Sequence, residues 1–346
     1  MLANYRQILR NLGAKSKLTL VTGNQSADMD STIAALAYSY LCSKKDVIPV
    51  LNIPRADFKL RKDIVHVMDI SGVDTASLVF LDDLESSWEK LSASSIDLVL
   101  VDHNKPQGSV IQDLISKLNA KVVSILDHHD DEKLFLDANP RIVQKCGSCT
   151  SLVITHFKEQ TAKIDPKLAK MFISPILIDT NRLRSHVESV DTKAYDLLTL
   201  RLNAKPDFSD NYAEELFAAK NNVEGLSMLD LLRKDYKEYD TVGISSLTVG
   251  LSYLQKFEVR KSLEAWKNER HLDVVIILTA YRDKYGFNRE LMVYGDPDKL
   301  DTLLDHIKGP LGLTQTRIFP YTFRQRVPKF SRKQVAPLVQ EWLESE

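Results

Sequence analysis

The chain has little cysteine: Cys42, Cys146 and Cys149 are the only three in 346 residues. Three cysteines are too few for a disulfide framework. Cys146 and Cys149 form a Cys-x-x-Cys pair, but the second pair or the histidines of a zinc site do not accompany it. A reduced intracellular compartment, most simply the cytoplasm, is therefore the predicted location.

Long apolar runs are also missing, since no stretch approaches the roughly 20 residues that a membrane span needs, and we expect no membrane partner. Acidic residues are absent before Asp28, whereas Arg6, Arg10, Lys15 and Lys17 occur there. This pattern faintly resembles a mitochondrial presequence, and an ordinary first helix explains it as well.

Neither positive nor negative charge is in excess, since the chain has 46 Lys and Arg residues and 47 Asp and Glu residues. Such a balance creates no global field that would attract a polyanion, so any phosphate affinity must come from local clusters. One cluster lies between Asp305 and Glu341, where no acidic residue occurs. A solvated surface or a phosphate clamp would explain it. Its basic residues are Lys308, Arg317, Arg324, Arg326, Lys329, Arg332 and Lys333.

Short apolar runs alternate with helical patterns in the first part of the chain. Continuous apolar strands separated by helices predict an α/β fold with a doubly wound parallel sheet, covered on both faces. Ligands of such sheets gather at the carboxyl ends of the strands. The predicted strands are Leu18–Thr22, Val47–Ile53, Ser77–Leu81, Ile96–Val101 and Lys121–Leu126.

A polar stretch that contains Pro206 divides the chain, and we predict residues 204–210 as a linker. Residues 1–203 would then form the first domain. Residues 211–346 would form a smaller α/β domain with a mixed sheet.

Acidic motifs follow four of the apolar runs, and we predict that all four lie at strand ends. Buried strands that end in unpaired carboxylates are unfavourable unless a charge, such as a divalent cation, neutralises them. The motifs are Asn24 to Ser31 with Asp28 and Asp30, then Asp102-His103-Asn104, Asp127-His128-His129, and Asp179 after Ile173–Ile178.

Oxygen ligands with a histidine suit Mg²⁺ or Mn²⁺ better than zinc or copper. Two such ions would activate a water and stabilise a leaving oxygen, which is the chemistry of phosphoester or phosphoanhydride hydrolysis. Taken singly, Asp28 and Asp30 could instead cap a helix that begins near Ser31. The four motifs together, in this order, favour the metal site.

The motifs Asp-x-Asp-Ser, Val-Asp-His-Asn and Asp-His-His, followed by a later Asp, resemble those of the DHH superfamily of phosphoesterases. The strings at 331–337 and 234–239 resemble the DHHA2 domain of family II pyrophosphatases, exopolyphosphatases and prune proteins. Further strings at 23–31, 53–61 and 147–151 are similar to the fungal exopolyphosphatase group. The DHH nucleases carry a Gly-Gly-His motif in a different second domain. No Gly-Gly occurs in this chain, which argues against a nuclease.

The resemblance implies a role for each matching residue. His129 would donate to the substrate phosphate or assist the leaving group, and Asn24 occupies the position of a metal-ligating histidine in the pyrophosphatases. The implied metal ligands are Asp28 for one ion, Asp30 for the other, Asp102 between them, and His128 and Asp179 for the second site. The implied substrate clamp consists of Lys237, Arg332 and Lys333.

An exopolyphosphatase that binds two Mg²⁺ or Mn²⁺ ions and releases orthophosphate from inorganic polyphosphate is therefore the predicted function. A prune-like enzyme for short polyphosphates or nucleotides, a family II pyrophosphatase and a non-catalytic scaffold are the alternatives. We expect no nucleic-acid partner, because no recognisable motif places aromatic residues to stack on bases. We expect a monomer.

Overall fold

The computed structural model describes residues 2–13, 15–327 and 329–345. The chain divides into two compact units, Met1–Asn222 and Val223–Glu346. The division falls beyond the predicted linker at 204–210, because the helix Phe208–Asn221 packs against the helices Lys62–Ile70 and Pro166–Asp179 of the first unit. Among the described residues, no helix is long and apolar enough to cross a membrane.

The first unit contains a six-stranded sheet in which every pair of neighbouring strands is parallel. The order is β3-β2-β1-β4-β5-β6, which confirms the predicted doubly wound arrangement. The strands are β1 (Lys17–Thr22), β2 (Val47–Leu51), β3 (Val79–Phe80), β4 (Ser95–Val101), β5 (Lys121–Asp127) and β6 (Arg141–Val143).

Helices connect and cover these strands. The N-terminal helix contributes Tyr5 and Leu9 to the core of the unit. The helices are α1 (Tyr5–Arg10), α2 (Met29–Leu41), α3 (Lys62–Ile70), α4 (Leu81–Ser86), α5 (Trp88–Ser92), α6 (Ser109–Leu118), α7 (Cys149–His156), α8 (Pro166–Asp179), α9 (Ser189–Leu202) and α10 (Phe208–Asn221).

The strand order reverses between β1 and β4, because the chain moves outward from β1 to β3 and then returns to the other side of β1. Loops that leave adjacent strands at such a point diverge and open a crevice at the carboxyl edge of the sheet. The motif that begins at Asn24 follows β1, and Asp102 follows β4. The fold therefore brings the first two acidic motifs to this crevice.

The second unit contains a mixed six-stranded sheet of order β13-β14-β12-β9-β8-β7, which confirms that prediction. The neighbours β8 and β9 are parallel, and the other neighbouring pairs described in this sheet are antiparallel. Its strands are β7 (Tyr236–Tyr239), β8 (Val242–Leu247), β9 (Val274–Thr279), β10 (Tyr281–Asp283), β11 (Gly286–Asn288), β12 (Glu290–Gly295), β13 (Leu313–Gln315) and β14 (Thr322–Gln325). Its helices are α11 (Met228–Lys234), α12 (Val259–Glu269), α13 (Pro297–Leu311) and α14 (Arg332–Ser345). The strands β10 and β11 form a separate two-stranded hairpin.

One prediction about strands is wrong, and another strand is shorter than predicted. Ile173–Ile178 lies in α8, so Asp179 ends a helix and does not follow a strand. This helix is buried from Leu168 to Ile178 except at one position, Lys170, and a short apolar run does not distinguish a buried helix from a buried strand. The strand predicted at Ser77–Leu81 is present in a shorter form, as β3, in which Val79 and Phe80 pair with β2.

Candidate metal centre

The loop between β1 and α2 is held by its own side chains. Asp28 caps α2 by accepting a hydrogen bond from the Ser31 amide at 3.0 Å. Ser26 donates from Oγ to Asn24 Oδ1 at 2.5 Å and to Asp28 Oδ2 at 3.0 Å. A Cβ on Gly23 would lie only 2.6 Å from the Cβ of Ser31, so glycine is required where the loop approaches α2. The capping role proposed for Asp28 as an alternative is thus present, and its side chain remains exposed.

Asp30 is buried and accepts four hydrogen bonds from the first turn of α7. Negative charge is favourable at a helix N-terminus, where backbone amides have no partner within the helix. Asp30 therefore caps a helix 118 residues away in sequence and not its own. The donors are Ser148 Oγ at 2.7 Å, Cys149 N at 2.6 Å, Thr150 N at 2.9 Å and Thr150 Oγ1 at 2.7 Å.

Asp102 lies directly after β4 in the left-handed conformation, with φ of 62°, and only 2% of it is exposed. Its two carboxylate oxygens differ. Oδ2 accepts from Ser31 Oγ at 2.6 Å and from Asn24 Nδ2 at 2.9 Å. Oδ1 is buried and receives no hydrogen bond of good geometry from the described part of the chain. Such an acceptor is unfavourable in a protein interior unless a proton or a cation approaches it.

His128 faces this oxygen. Its Nδ1 lies 2.9 Å from the Cys146 carbonyl, which can only accept, so Nδ1 carries the proton. Its Nε2 lies 3.0 Å from Asp102 Oδ1 and 3.9 Å from Asp30 Oδ2. A histidine whose Nδ1 donates to a backbone carbonyl presents its other nitrogen to a metal. Nε2 is thus directed toward two carboxylates, where a cation would have to displace its proton.

His129 takes a different position. Its Nδ1 lies 2.8 Å from Asp127 Oδ1 and 3.8 Å from Asp102 Oδ1, and more than half of its side chain is exposed. Asp127 is fully buried and also receives the amide of His128 at 2.8 Å and the side-chain amide of Asn104. Burial opposes ionisation of Asp127, but hydrogen bonds from His129 and Asn104 hold its pKa below the usual range. The hydrogen bond that His129 Nδ1 donates to the Asp127 carboxylate raises the pKa of His129.

The pKa values of two groups at the centre, Asp102 and His128, lie far above their ordinary values. Burial and the charge of Asp30 raise the pKa of Asp102 to about 7. Burial favours the neutral ring of His128, but the carboxylate of Asp102 and the Cys146 carbonyl raise its pKa to about 12. A proton shared by Asp102 and His128 and a divalent cation would therefore compete for the same position.

Asp179, at the end of α8, interacts electrostatically with the carboxylates of the centre. Its side chain reaches solvent, yet protein atoms crowd around it. This burial, with the charges of Asp30 and Asp28, raises the pKa of Asp179 to about 8. The negative charges of these carboxylates are thus close enough to disfavour one another, and a divalent cation would relieve that repulsion.

The donor set fits a divalent cation that prefers oxygen and imidazole ligands. The ligand atoms of Asp102, His128 and His129 all lie within 4.8 Å of one another, and Asp30 joins them through its 3.9 Å approach to His128. Asn24 lies at the centre as a donor to Asp102, and its own Oδ1 accepts from Ser26. The structure thus brings Asp102, His128 and His129 together, with Asp30 and Asn24 beside them. Asp28 and Asp179 are related to this group through the electrostatic influence of their charges.

Several residues that hydrogen-bond the candidate site residues could not be assigned this role from the sequence. Ser31 binds Asp102, Ser148 and Thr150 bind Asp30, and Asp127 fixes His129. The string at 147–151 resembles the exopolyphosphatase group, but the sequence alone assigns it no role. Its signal was a set of small hydroxyl residues just before a helix, but nothing in the sequence relates it to Asp30.

The predicted clamp residues lie at one edge of the second unit's sheet. Lys237 is exposed on the edge strand β7 opposite Ile244, whose side chain packs in the core beneath α13 and α14. Lys237 therefore projects on the side of the sheet that carries α14. Arg332, the first residue of α14, donates to the Asp235 carbonyl at 3.1 Å and to its carboxylate at 2.7 Å. Lys333 follows it and is exposed.

Comparisons with known proteins agree with this architecture. Residues 19–176 match the model of the DHH family, N-terminal domain, and residues 214–342 match the DHHA2 domain. A Schizosaccharomyces pombe protein named "Putative exopolyphosphatase" is 29% identical, with 98% of this chain and 96% of that protein aligned. The human protein "Exopolyphosphatase PRUNE1" is 27% identical, with 94% of this chain and 76% of that protein aligned.

A solved structure has the same fold. The crystal structure of a Methanococcus jannaschii "putative family II inorganic pyrophosphatase" superposes with a TM-score of 0.58 at 20% identity. The match covers 95% of this chain and 99% of that one.

Proposed function

Because residues 19–176 match the DHH family model and residues 214–342 match the DHHA2 domain, as in a relative named for this activity, we propose that the protein is an exopolyphosphatase. It would hydrolyse the terminal phosphoanhydride bond of inorganic polyphosphate and release orthophosphate. The observation that carries the proposal is the buried Asp102 Oδ1, which lies 3.0 Å from His128 Nε2 with Asp30 beside them. Such a carboxylate–imidazole set belongs to a metal-dependent hydrolase, and the names of the relatives narrow the substrate class.

Two Mg²⁺ or Mn²⁺ ions are the proposed cofactors. When bound, such ions lower the pKa of a water molecule and neutralise charge on phosphoryl oxygens. The residues that would hold them are Asp28, Asp30, Asp102, His128 and Asp179. Oxygen ligands outnumber nitrogen ligands in this set, which favours these hard cations over zinc.

His129 is the proposed donor to the substrate. Its Nδ1 is hydrogen-bonded to Asp127 and more than half of the side chain is exposed, so Nε2 would donate to a phosphate oxygen. The raised pKa of His129 keeps the ring protonated to a higher pH, and a charged donor binds an anionic oxygen more strongly than a neutral one. Asn24 serves catalysis by holding Asp102 Oδ2, so that Oδ1 stays directed toward His128.

The proposed clamp for the phosphates of the chain consists of Lys237, Arg332 and Lys333. Arg332 uses two of its nitrogens on Asp235, and this pairing fixes the direction in which its remaining N–H groups point. Lys237 and Lys333 are exposed and would add point charges. This grouping supports a polyanionic substrate in a chain whose overall charge is close to neutral.

A family II pyrophosphatase or a prune-like enzyme is the main rival. Asn24 disfavours a dedicated pyrophosphatase, because its amide donates to Asp102 and leaves no imidazole for the first metal position. We further propose that the enzyme acts as a monomer in the cytoplasm and binds no nucleic acid.

The decisive experiment compares phosphate release from pyrophosphate, tripolyphosphate and long polyphosphate with Mg²⁺ at one enzyme concentration. Fast release from long chains and little from pyrophosphate is the expected result. Activity confined to pyrophosphate would assign a pyrophosphatase, and activity confined to tripolyphosphate a prune-like enzyme. No release from any substrate, with Mn²⁺ and Co²⁺ also tried, would support the scaffold.

A further inference from the structure

One short loop, residues 146–150, supports three of the proposed metal ligands from behind, and we name it the support loop. The Cys146 carbonyl accepts from His128 Nδ1 at 2.9 Å. Ser148 and the backbone that follows it donate to Asp30. Asp102 donates from its amide to Cys149 Sγ at 3.1 Å. A displacement of this loop would therefore change the orientation of several ligands together.

Asp191, near the start of α9, holds the support loop in place. It is fully buried, and its carboxylate accepts three backbone amides. The Gly147 amide donates to Oδ2 at 2.8 Å, the Ser148 amide donates to Oδ1 at 3.3 Å, and the Glu188 amide donates to Oδ2 at 2.8 Å. Only the bond from Glu188 belongs to the cap of α9. The other two join α9 to the support loop, more than 40 positions earlier in the chain.

The support loop fits closely against its surroundings at the same point. A Cβ on Gly147 would lie 2.3 Å from Thr180 Cγ2, 2.7 Å from the His186 carbonyl oxygen and 3.3 Å from Asp191 Oδ2. Thr180 directly follows Asp179. The absence of a side chain at Gly147 thus lets the loop reach both Asp191 and the turn that follows another proposed ligand.

We propose that Asp191 is a positioning residue of the metal centre, which acts through the support loop without binding a cation itself. The inference rests on the metal site of the proposed function. Without the Asp191 carboxylate, the buried amides of Gly147 and Ser148 lose their acceptor, and a buried amide without a partner is unfavourable. The loop would then move, and Asp30 and His128 would lose the contacts that orient them.

The test is a calorimetric titration of Mn²⁺ into the full chain and its variants at one pH. Asp191→Ala is expected to bind Mn²⁺ about 10- to 100-fold more weakly, as is common when a residue that orients metal ligands is removed. Asp191→Asn retains an acceptor but turns an NH₂ group toward at least one backbone donor, so a smaller loss is expected. The Asn variant keeps the test possible if the Ala variant fails to fold.

Asp230→Ala is the matched control, because Asp230 is also a buried carboxylate at the third position of a capped helix. It lies in the second unit and should leave Mn²⁺ affinity within about 2-fold of the unmodified chain, a change smaller than removal of an orienting residue causes. As a second readout, excess Mn²⁺ should restore the kcat of the Asp191 variants on polyphosphate, while KM for polyphosphate stays nearly constant.

Unchanged Mn²⁺ affinity in a folded Asp191→Ala protein would overturn the inference, as would an equal loss in Asp230→Ala. The titration needs no substrate. A failure of the exopolyphosphatase proposal would appear as an unmodified chain that binds Mn²⁺ and releases no phosphate from polyphosphate, which is a distinguishable result.

Discussion

At the residue scale, Asp102 divides its carboxylate between two tasks. Oδ2 is saturated by Ser31 and Asn24, which fix the side chain. Oδ1 is left for His128 and for a cation. The left-handed backbone at Asp102, a conformation that aspartate tolerates better than most residues, turns the side chain out of the strand direction. The residue therefore combines a fixed position with an unsatisfied acceptor.

Asp102→Asn should test this division. The amide keeps the size of the side chain but removes the charge that would bind the cation, so kcat/KM on polyphosphate should fall by more than about 100-fold, beyond the usual effect of residues that only orient ligands. Steady-state phosphate release with Mg²⁺ is the measurement. Asp113→Asn, at a partly exposed helical position paired with Lys117, is the control and should change kcat/KM little. An active Asp102→Asn enzyme would disprove the metal centre.

Arg332→Ala should weaken the proposed phosphate clamp. A hydrogen bond to a charged group contributes about 1.5–3 kcal/mol, so kcat/KM on polyphosphate should fall about 10- to 100-fold. The matched control is Arg270→Ala, because Arg270 is another arginine of the second unit that pairs with an acid of the β7 segment, Glu238 at 3.3 Å. Equal kcat/KM values for the two variants would remove Arg332 from the clamp.

At the scale of elements, the centre depends on contacts between segments that are distant in sequence. The ends of β1, β4 and β5 could be predicted, because β-branched apolar runs followed by acidic residues indicate the carboxyl ends of buried strands. The helix α8 could not, since its apolar run carries no period that separates strand from helix. The hydrogen bonds from Ser148 and Thr150 to Asp30 could not be predicted either, because the sequence around a serine or threonine does not indicate a partner that is distant in the chain.

Gly147→Ala should show how closely the support loop is packed. The added Cβ would meet Thr180 and the His186 backbone at distances that require displacement, which should lower the free energy of unfolding by about 1–3 kcal/mol. Mn²⁺ affinity should fall as well. Gly309→Ala is the control, because a Cβ in that helix meets nothing within 4 Å. Its stability should stay constant or rise by up to about 1 kcal/mol. Denaturant unfolding of both variants is the measurement, and equal stabilities would contradict the close fit.

At the scale of the whole molecule, the raised pKa values of Asp102 and Asp179 link stability to pH. Both carboxyls bind protons more tightly in the folded chain, at about 7 and about 8, than at their ordinary value of 3.8. The folded state therefore holds more protons than the unfolded state between about pH 4 and 8, and its stability falls as the pH rises through this window.

Without added metal, Asp179→Asn should consequently show a shallower decline of unfolding free energy between pH 5 and 8 than the unmodified chain, because it lacks one of these carboxyls. Saturating Mn²⁺ should stabilise the unmodified chain most at the upper end of the window, where protons no longer compete. Denaturant unfolding at several pH values is the measurement. Identical slopes for the two proteins would show that Asp179 does not share the field of Asp30 and Asp28.

The division of the chain shows another limit of sequence reading. Residues 204–210 carry the polar composition of a linker, yet α10 begins within them at Phe208 and packs on the first unit, and the division falls after Asn222. Composition indicates where a chain is exposed, but the packing of a half-polar helix depends on the surface that receives it.

The hydrogen bonds from α7 to Asp30 have a consequence for protein synthesis. They span 118 to 120 positions, so a ribosome must release Ser148 and Thr150 before Asp30 can acquire its partners. Asp179, at the end of the next helix, emerges later still. Until then, the nascent chain holds part of a ligand set that cannot yet be oriented. If the proposed metal centre exists, cations would bind it only late in translation, after most of the first unit has been synthesised.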